Sequence, residues 1–357
     1  MTSSLQIVGS RSNGGAEGFF CRLTNALAAH DKTTWAMLPP DSVLNEQLTG
    51  DVKRVSQKMR GVWDVWARMA ISSWIRRHAP PVAQTWMGRA TRLTHVPRGA
   101  PTVHIARLGG YYDVRGYAHA SAWVGNTRGI CDYLIKNGLP AERVFHIGNF
   151  VEPVPPPSAQ AKFAARQSLS IHPDALVSLT TGRLHPNKGF ADLLHAISEL
   201  PAEIDDRKLL FLLVGDGPLR ESLHTLSESL GIDDRVRWTG WQTNTAPYYQ
   251  ASDLFVCPSR HEPLGNVVLE AWSHELPLLA TRAEGPSELM TDDKDGRLVA
   301  LEDPMALARS IKSLLQLSST DRGELVTNGL AKVQRLYSPE IIRSRYLELY
   351  KDLSSHR

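Results

Sequence analysis

The sequence contains few cysteines and no long hydrophobic run. The three cysteines among its 357 residues, Cys21, Cys131 and Cys257, lie far apart and form no CxxC pair. This spacing argues against a disulfide framework and against a structural zinc site, and it favours a reducing compartment. No stretch reaches the roughly 18 apolar residues of a membrane-spanning helix. The N-terminal MTSSLQIVGSRSNGG also lacks the basic and apolar regions of a signal peptide, so we expect a cytoplasmic protein.

The composition is otherwise ordinary for a globular protein that buries a core, with 42% hydrophobic and 22% charged residues. The length suits two domains of usual size. The net charge of +3 hides an asymmetry, because residues 51–100 contain ten Lys/Arg and two Asp, which makes this stretch +8 and the remainder −5. The same stretch holds four of the nine tryptophans.

Short apolar runs alternate with longer amphipathic runs along most of the chain. We predict strands at residues 5–9, 101–106, 122–125, 144–148, 176–181, 209–214, 236–238, 254–258 and 278–281. We predict helices at residues 16–29, 127–137, 189–200, 219–230 and 267–274, with further helices in 303–353. This alternation is typical of parallel sheets covered on both faces. The proline-rich stretch GNFVEPVPPPSAQ, residues 148–160, favours an extended connector. The sequence therefore predicts an α/β protein with two Rossmann-like domains facing a cleft, at 1–150 and 151–337.

The loops that follow the predicted strands are the candidate ligand sites, because open α/β sheets bind ligands at the carboxyl ends of their strands. Gly14 and Gly15 follow the first strand, where two glycines allow a close approach to a ligand or simply form a tight turn. The stretch GDGPLR begins at Gly215 and contains two of the three glycines of a dinucleotide fingerprint. A plain turn with Pro218 in the first helical turn explains it equally well.

The stretch TGRLHPNKGF places two cations, Arg183 and Lys188, around a loop that opens a helix near Gly189. Two cations and a helix N-terminus can seat a diphosphate. The alternative is that both are merely solvated surface cations. The stretch is not a P-loop, because the lysine stands one position too late, no second glycine precedes it, and Gly189 replaces the Ser/Thr.

The stretch RHEPLGNVVLEA contains Glu262 and Glu270, eight positions apart. We predict that Glu262 lies in a loop, that Asn266 caps a helix, and that Glu270 lies about one turn inside it. Carboxylates accept hydrogen bonds from sugar hydroxyls, and a ribose offers two adjacent hydroxyls. The alternatives are a buried cap partner for Glu270 and a surface loop residue for Glu262. The backbone N–H groups expected between the two carboxylates belong to Leu264, Gly265, Asn266 and Val267.

No metal site stands out in the sequence. Asp293-Lys294-Asp295 matches a DxD pattern, but it lies in the polar turn TDDKDGRLV before a short strand, and we expect no metal there. His104 and His261 lie on candidate loops, where each is either a proton shuttle or a structural residue. No Ser/His/Asp set falls on plausible elements.

Four stretches, in this order, resemble the second domain of family four retaining glycosyltransferases with the GT-B fold: TGRLHPNKGF, LLVGDGPLR, GWQTNTAPYYQASDLFVCPSRHEPLGNVVLEAW and ATRAEGPSEL. SRSNGGAEGFF resembles their glycine-rich loop, and the stretch from HIARLGG to IGNFVEP resembles the end of their first domain. The resemblance covers nearly the whole chain and is closest to the subgroup that builds lipopolysaccharide core or related surface glycans. It implies that a C-terminal helix, within residues 338–357, crosses back to the first domain.

The resemblance implies a role for each matching position. Arg183 and Lys188 resemble the pair that binds the donor diphosphate and stabilises the leaving group in place of a metal ion. Glu262 resembles the first glutamate of the EX7E motif, which contacts the donor sugar. Glu270 resembles the second, which holds the ribose hydroxyls. Further donor contacts are implied for Gly14, Gly15, Gly215, Leu264, Gly265, Asn266 and Val267.

The mechanism implied by the resemblance is sugar transfer with retention at the anomeric carbon. The acceptor hydroxyl attacks on the leaving-group face and the donor phosphate oxygen takes its proton, so Glu262 positions the sugar and is not a nucleophile. The nucleotide sugar is a co-substrate, the acceptor is a glycan or glycolipid, and no cofactor or metal is expected. Many relatives carry a first-domain histidine that contacts the donor sugar, and His104 and Arg107 are both candidates for that place. The alternatives are a GT-B sugar-nucleotide epimerase and a sugar-nucleotide-binding relative without catalysis.

Residues 59–77, MRGVWDVWARMAISSWIRR, are predicted to form a basic helix. On this helix Met59, Trp63, Trp66, Ala70 and Trp74 share one face. A cationic helix with an aromatic face suits an anionic membrane surface, which would place the protein peripherally on the inner face of the cytoplasmic membrane. The alternative is that the tryptophan face packs into the core. Nucleic acid is not expected as a partner, because no nucleic-acid motif accompanies the charge.

Overall fold

The structure, a computed structural model, describes residues 3–12, 14–156 and 158–355. The chain divides into two compact units, the first formed by Met1–Phe150 with Tyr337–Arg357 and the second by Val151–Leu336. Each unit is built on one parallel sheet with helices on both faces, which confirms the predicted α/β class. Part of the predicted proline-rich connector, Pro157, lies outside the described residues.

The described residues of the first unit form a sheet of seven parallel strands in the order β3-β2-β1-β4-β5-β6-β7. The strands are β1 (Ser4–Val8), β2 (Trp35–Leu38), β3 (Lys53–Ser56), β4 (Val82–Trp86), β5 (Val103–Leu108), β6 (Ala122–Gly125) and β7 (Val144–His146). The helices are α1 (Gly15–His30), α2 (Val65–His78), α3 (Met87–Leu93) and α4 (Arg128–Lys136).

Strand β1 shows why the first sheet is buried on both faces. Leu5 and Ile7 pack in the cluster that contains residues of α2 and α3, whereas Val8 packs in the cluster that contains residues of α1. Successive side chains of a strand point to opposite faces. A continuous apolar run is therefore what this central strand requires.

The second sheet has the order β11-β10-β8-β12-β13-β14, with β9 paired antiparallel to β10. Its strands are β8 (Leu176–Thr181), β9 (Glu203–Ile204), β10 (Arg207–Val214), β11 (Val236–Gly240), β12 (Leu254–Cys257), β13 (Leu278–Thr281) and β14 (Arg297–Val299). The helices of this unit are α5 (Ala159–Ser168), α6 (Phe190–Ser198), α7 (Arg220–Ser229), α8 (Ala246–Ala251), α9 (Asn266–Ser273), α10 (Glu284–Leu289), α11 (Pro304–Leu315) and α12 (Ser319–Leu336).

The last helix, α13 (Pro339–Ser355), belongs to the first unit, as the resemblance implied. Its buried face, formed by Ile342, Tyr346, Leu349, Tyr350 and Leu353, packs in the same cluster as α1. The hydroxyl of Tyr350 accepts a hydrogen bond from Gln6 Nε2 (3.1 Å) and donates one to Gln84 Oε1 (2.9 Å). These bonds tie α13 to the buried amides of β1 and β4 in the centre of the sheet.

The predicted helix at 59–77 was wrong in its start, and the structure distinguishes the two alternatives for its tryptophan face residue by residue. Met59 and Trp63 precede α2, which begins at Val65 after the N-cap Asp64. The buried residues of α2 are Ala67, Ile71 and Ile75, and Trp63 and Trp66 are 85% and 81% exposed. Trp63 and Trp66 therefore do not pack into the core, because Ala67, Ile71 and Ile75 supply the i, i+4 stripe that does, whereas Trp74 packs partly buried against the same cluster. No helix within the described residues is both long and apolar enough to cross a membrane.

Candidate functional site

The loop before α9 carries Glu262 and reaches the helix through a glycine in the left-handed region. Gly265 has φ +87° and is the N-cap of α9, so Asn266 is the first helical residue. The prediction that Asn266 caps this helix was therefore wrong by one residue. The first turn of a helix presents N–H groups without intrahelical partners, and it favours negative charge. Glu270 lies about one turn further along α9, as predicted.

Lys188 and Glu262 form an ion pair through the lysine Nζ and Glu262 Oε2. Lys188 ends a 3-10 helix, Pro186–Lys188, that follows β8. Ser259 Oγ donates to the same oxygen of Glu262 at 3.3 Å. The two side chains are 28% and 12% exposed, so the pair is accessible to a ligand and yet partly shielded from water. Among the predicted site residues, Lys188 and Glu262 are thus brought into direct contact.

The two loops that bear this pair are fastened to each other by backbone contacts. The carbonyl of Asn187 accepts hydrogen bonds from the N–H groups of Arg260 (2.9 Å) and His261 (3.0 Å). Gly189 follows with φ +64°, and a Cβ there would lie 1.9 Å from the carbonyl oxygen of Pro258. Both the backbone angle and the space require glycine at this position. The close approach of the two loops therefore depends on Gly189.

Glu284, at the start of α10, holds the Glu262 loop from its other side. Its Oε2 accepts the N–H of Glu262 (3.1 Å) and its Oε1 accepts from His261 Nδ1 (2.7 Å). The N–H of Gly285 donates to the carbonyl of Glu262 (2.7 Å). A Cβ at Gly285 would lie 2.1 Å from the carbonyl oxygen of Leu264. Sequence reasoning missed Glu284 as a site residue, although it lies in ATRAEGPSEL, in the loop that follows the predicted strand 278–281.

The electrostatic state of Glu284 follows from these contacts. Burial acts to raise its pKa, but hydrogen bonds from its own N–H, from His261 and from the Glu262 N–H outweigh burial, and the pKa is lowered. A carboxylate held in its charged form gives the loop a fixed acceptor.

Glu270 is held on α9 by a buried tyrosine. The hydroxyl of Tyr249 donates to Glu270 Oε2 at 3.0 Å. Its ring stacks on His274, with centroids 4.3 Å apart. Burial, followed by the charge of Glu270, raises the pKa of Tyr249 well above its usual value, so the hydroxyl keeps its proton and donates. Tyr249 therefore fixes the direction of the Glu270 carboxylate, another contact that the sequence did not reveal.

Arg183 lies in a loop whose backbone is packed against the glycines of GDGPLR. The N–H of Gly182 donates to Val214 (2.9 Å) and the N–H of Leu184 donates to Asp216 (3.0 Å). Gly215 has φ +146°, and a Cβ there would lie 1.8 Å from the carbonyl oxygen of Gly182. The loop is therefore held on both sides of Arg183. The Arg183 side chain is exposed, and no described residue pairs with its guanidinium.

The predicted glycines of the first unit lie at the start of α1. Gly14 is the N-cap with φ −163°, an extended angle that any residue adopts, and Gly15 is the first helical residue. A Cβ at Gly14 would lie 2.8 Å from Glu17 Oε2, and Ser10 Oγ donates to Glu17 Oε1 at 2.8 Å. The carboxylate of Glu17 thus lies close to this helix start.

His104 and Arg107 both lie inside the first unit, 2% and 3% exposed. Burial, together with His119 and His95, lowers the pKa of His104 to about 3, so its ring is neutral. The Arg107 guanidinium donates to Asn149 Oδ1 and to the hydroxyl of Tyr346. In this conformation neither side chain is open to a ligand.

The two carboxylates of the DxD pattern form separate ion pairs with basic side chains and do not converge on one possible metal position. Asp293 pairs with Arg297 (2.9 Å) and Asp295 with Lys332. Across the described part of the chain, no group of three or more His, Cys, Asp and Glu side chains is placed to hold a metal ion.

Comparison with known proteins adds to this geometry. Residues 175–317 match the family described as Glycosyl transferases group 1. The chain is 33% identical over 340 residues to the lipopolysaccharide core biosynthesis glycosyltransferase LpsE of Rhizobium meliloti (strain 1021), covering 94% of this chain and 96% of LpsE. It is 34% identical over 349 residues to LpsD of the same strain, described in the same words, covering 95% of both chains.

Solved structures show the same fold at low sequence identity. HepE of Anabaena in complex with UDP and glucose has a TM-score of 0.83 at 19% identity, covering 98% of this chain and 100% of HepE. WaaG, a glycosyltransferase involved in lipopolysaccharide biosynthesis, has a TM-score of 0.71 at 16% identity, covering 96% of this chain and 99% of WaaG. These matches confirm the predicted GT-B fold.

Proposed function

The chain belongs to the group 1 glycosyltransferase family, and from this premise we propose that it moves a sugar from a nucleotide-sugar donor to a glycan acceptor with retention of the anomeric configuration. The observation that carries the proposal is the Lys188–Glu262 ion pair beside the start of α9. The complex of HepE with UDP and glucose supports a nucleotide-sugar donor. The relationship to LpsE and LpsD supports a lipopolysaccharide core acceptor or a related lipid-linked glycan.

We place the donor across the carboxyl ends of β8 and β12. Lys188 has three N–H donors, of which one serves Glu262, so the other two are free to reach a donor phosphate. Arg183, exposed on its fixed loop, supplies a second cation for the diphosphate. Glu262 accepts hydrogen bonds from the transferred sugar. Glu270, aligned by Tyr249, accepts hydrogen bonds from the ribose hydroxyls.

The reaction requires charge stabilisation at the departing phosphate. As the bond between the anomeric carbon and the phosphate oxygen breaks, negative charge grows on that oxygen, where Lys188 and Arg183 stabilise it without a metal. The acceptor hydroxyl forms the new bond to the anomeric carbon on the same face, and its proton passes to the departing phosphate oxygen. Glu262 already accepts bonds from Lys188 and Ser259, which suits a positioning group better than a nucleophile.

We propose that the segment before α2 and its first turns meet an anionic membrane on the cytoplasmic side. Trp63, Val65, Trp66 and Met69 are all more than half exposed, and none is needed for the buried stripe of α2. The last turn of this helix carries exposed basic residues, Arg76 and Arg77 among them. Exposed aromatic rings and cationic side chains on the same helix suit the interface of an anionic bilayer.

A thermal-shift screen with UDP, GDP and ADP, followed by donor turnover with the best base, tests the function. We expect one diphosphate to raise Tm and its sugar conjugate to be consumed faster when acceptor is present. Consumption that never depends on an acceptor would support the epimerase alternative. Binding without any turnover would support a relative that has lost catalysis. No stabilisation by any diphosphate would contradict the proposal.

A further inference from the structure

The first unit contains a cavity of about 490 Å3 with a basic wall, a size typical of small-molecule sites. Four of its residues, Arg68, Arg92, His95 and His119, define what we call the basic cavity. Arg68 belongs to α2 and Arg92 to α3, while His95 follows α3 and His119 precedes β6. Three separate segments of the chain thus bring nitrogen-bearing side chains to one space.

The two arginines of the basic cavity lack acidic partners. Neither Arg68 nor Arg92 forms an ion pair with any residue that the structure describes, and Arg68 Nε is buried with no hydrogen-bond partner. Asp113 is the one acidic residue among the described lining residues, and it pairs with Arg115 at 2.7 Å. The cavity therefore keeps an uncompensated charge of two guanidinium groups, which attracts anions.

The two histidines form an aromatic wall of the same space, and the Nε2–H of His119 is turned to backbone carbonyls. Their rings stack with centroids 4.4 Å apart, and His119 Nε2 lies 2.9 Å from the carbonyl of Thr91, which requires a hydrogen on that nitrogen. Burial, then His119 and the charge of Arg68, lowers the pKa of His95. The positive field of Arg68 thus acts directly on His95.

The backbone makes room for Arg92. A Cβ at Gly116 would lie 2.4 Å from Arg92 Nε, so the guanidinium rests against the backbone of the 3-10 helix Val114–Gly116. Trp63, 85% exposed, stands on the cavity wall and offers a flat apolar face to a sugar ring.

We propose that the basic cavity binds an oxyanion, a phosphate monoester or a carboxylate, carried by the acceptor glycan, while Trp63 stacks on the sugar that bears it. The proposal rests on the glycosyltransferase function proposed above and adds the chemical class of the acceptor. Planar guanidinium groups match both oxyanions with paired hydrogen bonds, which a neutral hydroxyl cannot reproduce.

The test is calorimetric titration of the full chain with inorganic phosphate, a hexose 6-phosphate, a hexuronate and the neutral hexose. We expect at least one of the two sugar anions to bind and the neutral hexose not to. Arg68→Gln combined with Arg92→Gln should weaken this binding by about tenfold or more. The matched control is Arg98→Gln, an exposed arginine of the same stretch that does not line the cavity, and it should leave binding unchanged.

Two further variants separate the cavity from other sites. Trp63→Ala should weaken hexose 6-phosphate several-fold and leave inorganic phosphate unaffected, whereas Trp66→Ala should change neither. Lys188→Ala should leave sugar-anion binding intact. Binding lost in Lys188→Ala but kept in the double arginine variant would overturn the proposal, as would the absence of binding by both sugar anions.

The KM values of charged and neutral acceptors provide a further test of the basic cavity. A phosphorylated or acidic acceptor should show a KM about tenfold lower than its neutral counterpart, and the double arginine variant should abolish that difference. Equal KM values in the wild-type chain would overturn this inference alone. If instead no nucleoside diphosphate raises Tm, the proposed function itself fails, so the two failures are distinguishable.

Discussion

Lys188 and Glu262 lie 74 residues apart in the sequence and form an ion pair in the folded chain. Each comes from a loop at the carboxyl end of a strand, and the carbonyl of Asn187 joins the two loops. The pair links a cation suited to phosphate with a carboxylate suited to sugar hydroxyls. A nucleotide sugar, which carries both phosphate and sugar hydroxyls, could therefore contact Lys188 and Glu262 at the same time.

Replacing Lys188 by alanine should lower the rate of transfer about 100-fold or more, because one of the two cations that face the departing phosphate is lost. Steady-state kcat with saturating donor is the measurement. Lys208→Ala, an exposed lysine at the start of β10, is the matched control and should behave as wild type. Wild-type kcat in Lys188→Ala would show that this lysine does not stabilise the leaving group.

Gly189→Ala should destabilise the fold and displace Lys188. The new Cβ would meet the Pro258 carbonyl at 1.9 Å, in addition to the strain of φ +64°. Gly231→Ala is a close control, since Gly231 has φ +65° with nothing within 4 Å of its Cβ position. We expect a loss of about 1 kcal/mol for Gly231→Ala and at least ~2 kcal/mol more for Gly189→Ala in urea unfolding. Equal losses of unfolding free energy in the two variants would mean that the close approach of Gly189 to Pro258 does not contribute to stability.

Tyr249→Phe should weaken nucleotide binding and leave the core packing intact. The substitution removes only the hydroxyl that donates to Glu270, while the stacking on His274 is preserved. We expect a rise of about tenfold in donor KM with little change in kcat. Tyr248→Phe, at a neighbouring buried tyrosine whose hydroxyl bonds to no described residue, should show no such rise. If both variants have the wild-type donor KM, the hydrogen bond from Tyr249 is not needed to orient Glu270 for donor binding.

Glu284 should make stability depend on pH in the acid range. Its folded-state pKa lies below the ordinary value of 4.5, so its contribution is complete above that value and is lost as pH falls through the folded pKa. Unfolding free energies measured from neutral to acid pH should therefore fall less steeply in Glu284→Gln than in wild type. Glu199→Gln, at an exposed glutamate of the same unit, should keep the wild-type slope. Identical slopes in all three chains would refute the assignment.

Trp66, which is exposed in the first turn of α2, should contribute to membrane binding. We expect Trp66→Ala to reduce co-sedimentation with vesicles of an anionic phospholipid several-fold. Trp241→Ala removes a tryptophan of the second unit that is 58% exposed, and it should have no effect. Failure of the wild-type chain to bind anionic vesicles more strongly than neutral vesicles would remove the membrane proposal.

Much of the fold could be predicted because several buried strands read as continuous apolar runs, as in β10 and β12, whereas the central strand β4, VAQTW, has no such run and was missed. Strand β3 escaped prediction because KRVS lies at the sheet edge and is largely exposed. The buried face of α2 stayed open between two alternatives because periodicity shows which residues share a face but not which face is buried.

Only those residues of the candidate site that belong to a recognisable local motif could be predicted from the sequence. Glu262 and Glu270 follow from the spacing of one motif together with the resemblance. Their partners Glu284 and Tyr249 lie in other helices, at the start of α10 and within α8, and only the folded unit brings them near. Contacts of this kind depend on tertiary packing, which no local pattern encodes.

The most direct measurement is release of nucleoside diphosphate from a matched nucleotide sugar with acceptor present, together with the anomeric configuration of the product by NMR. The proposed function predicts acceptor-dependent release, a product with the donor's anomeric configuration, and a rate about 100-fold or more lower in Glu262→Gln with an unchanged Tm. An inverted product, or release by Glu262→Gln at the wild-type rate, would contradict it.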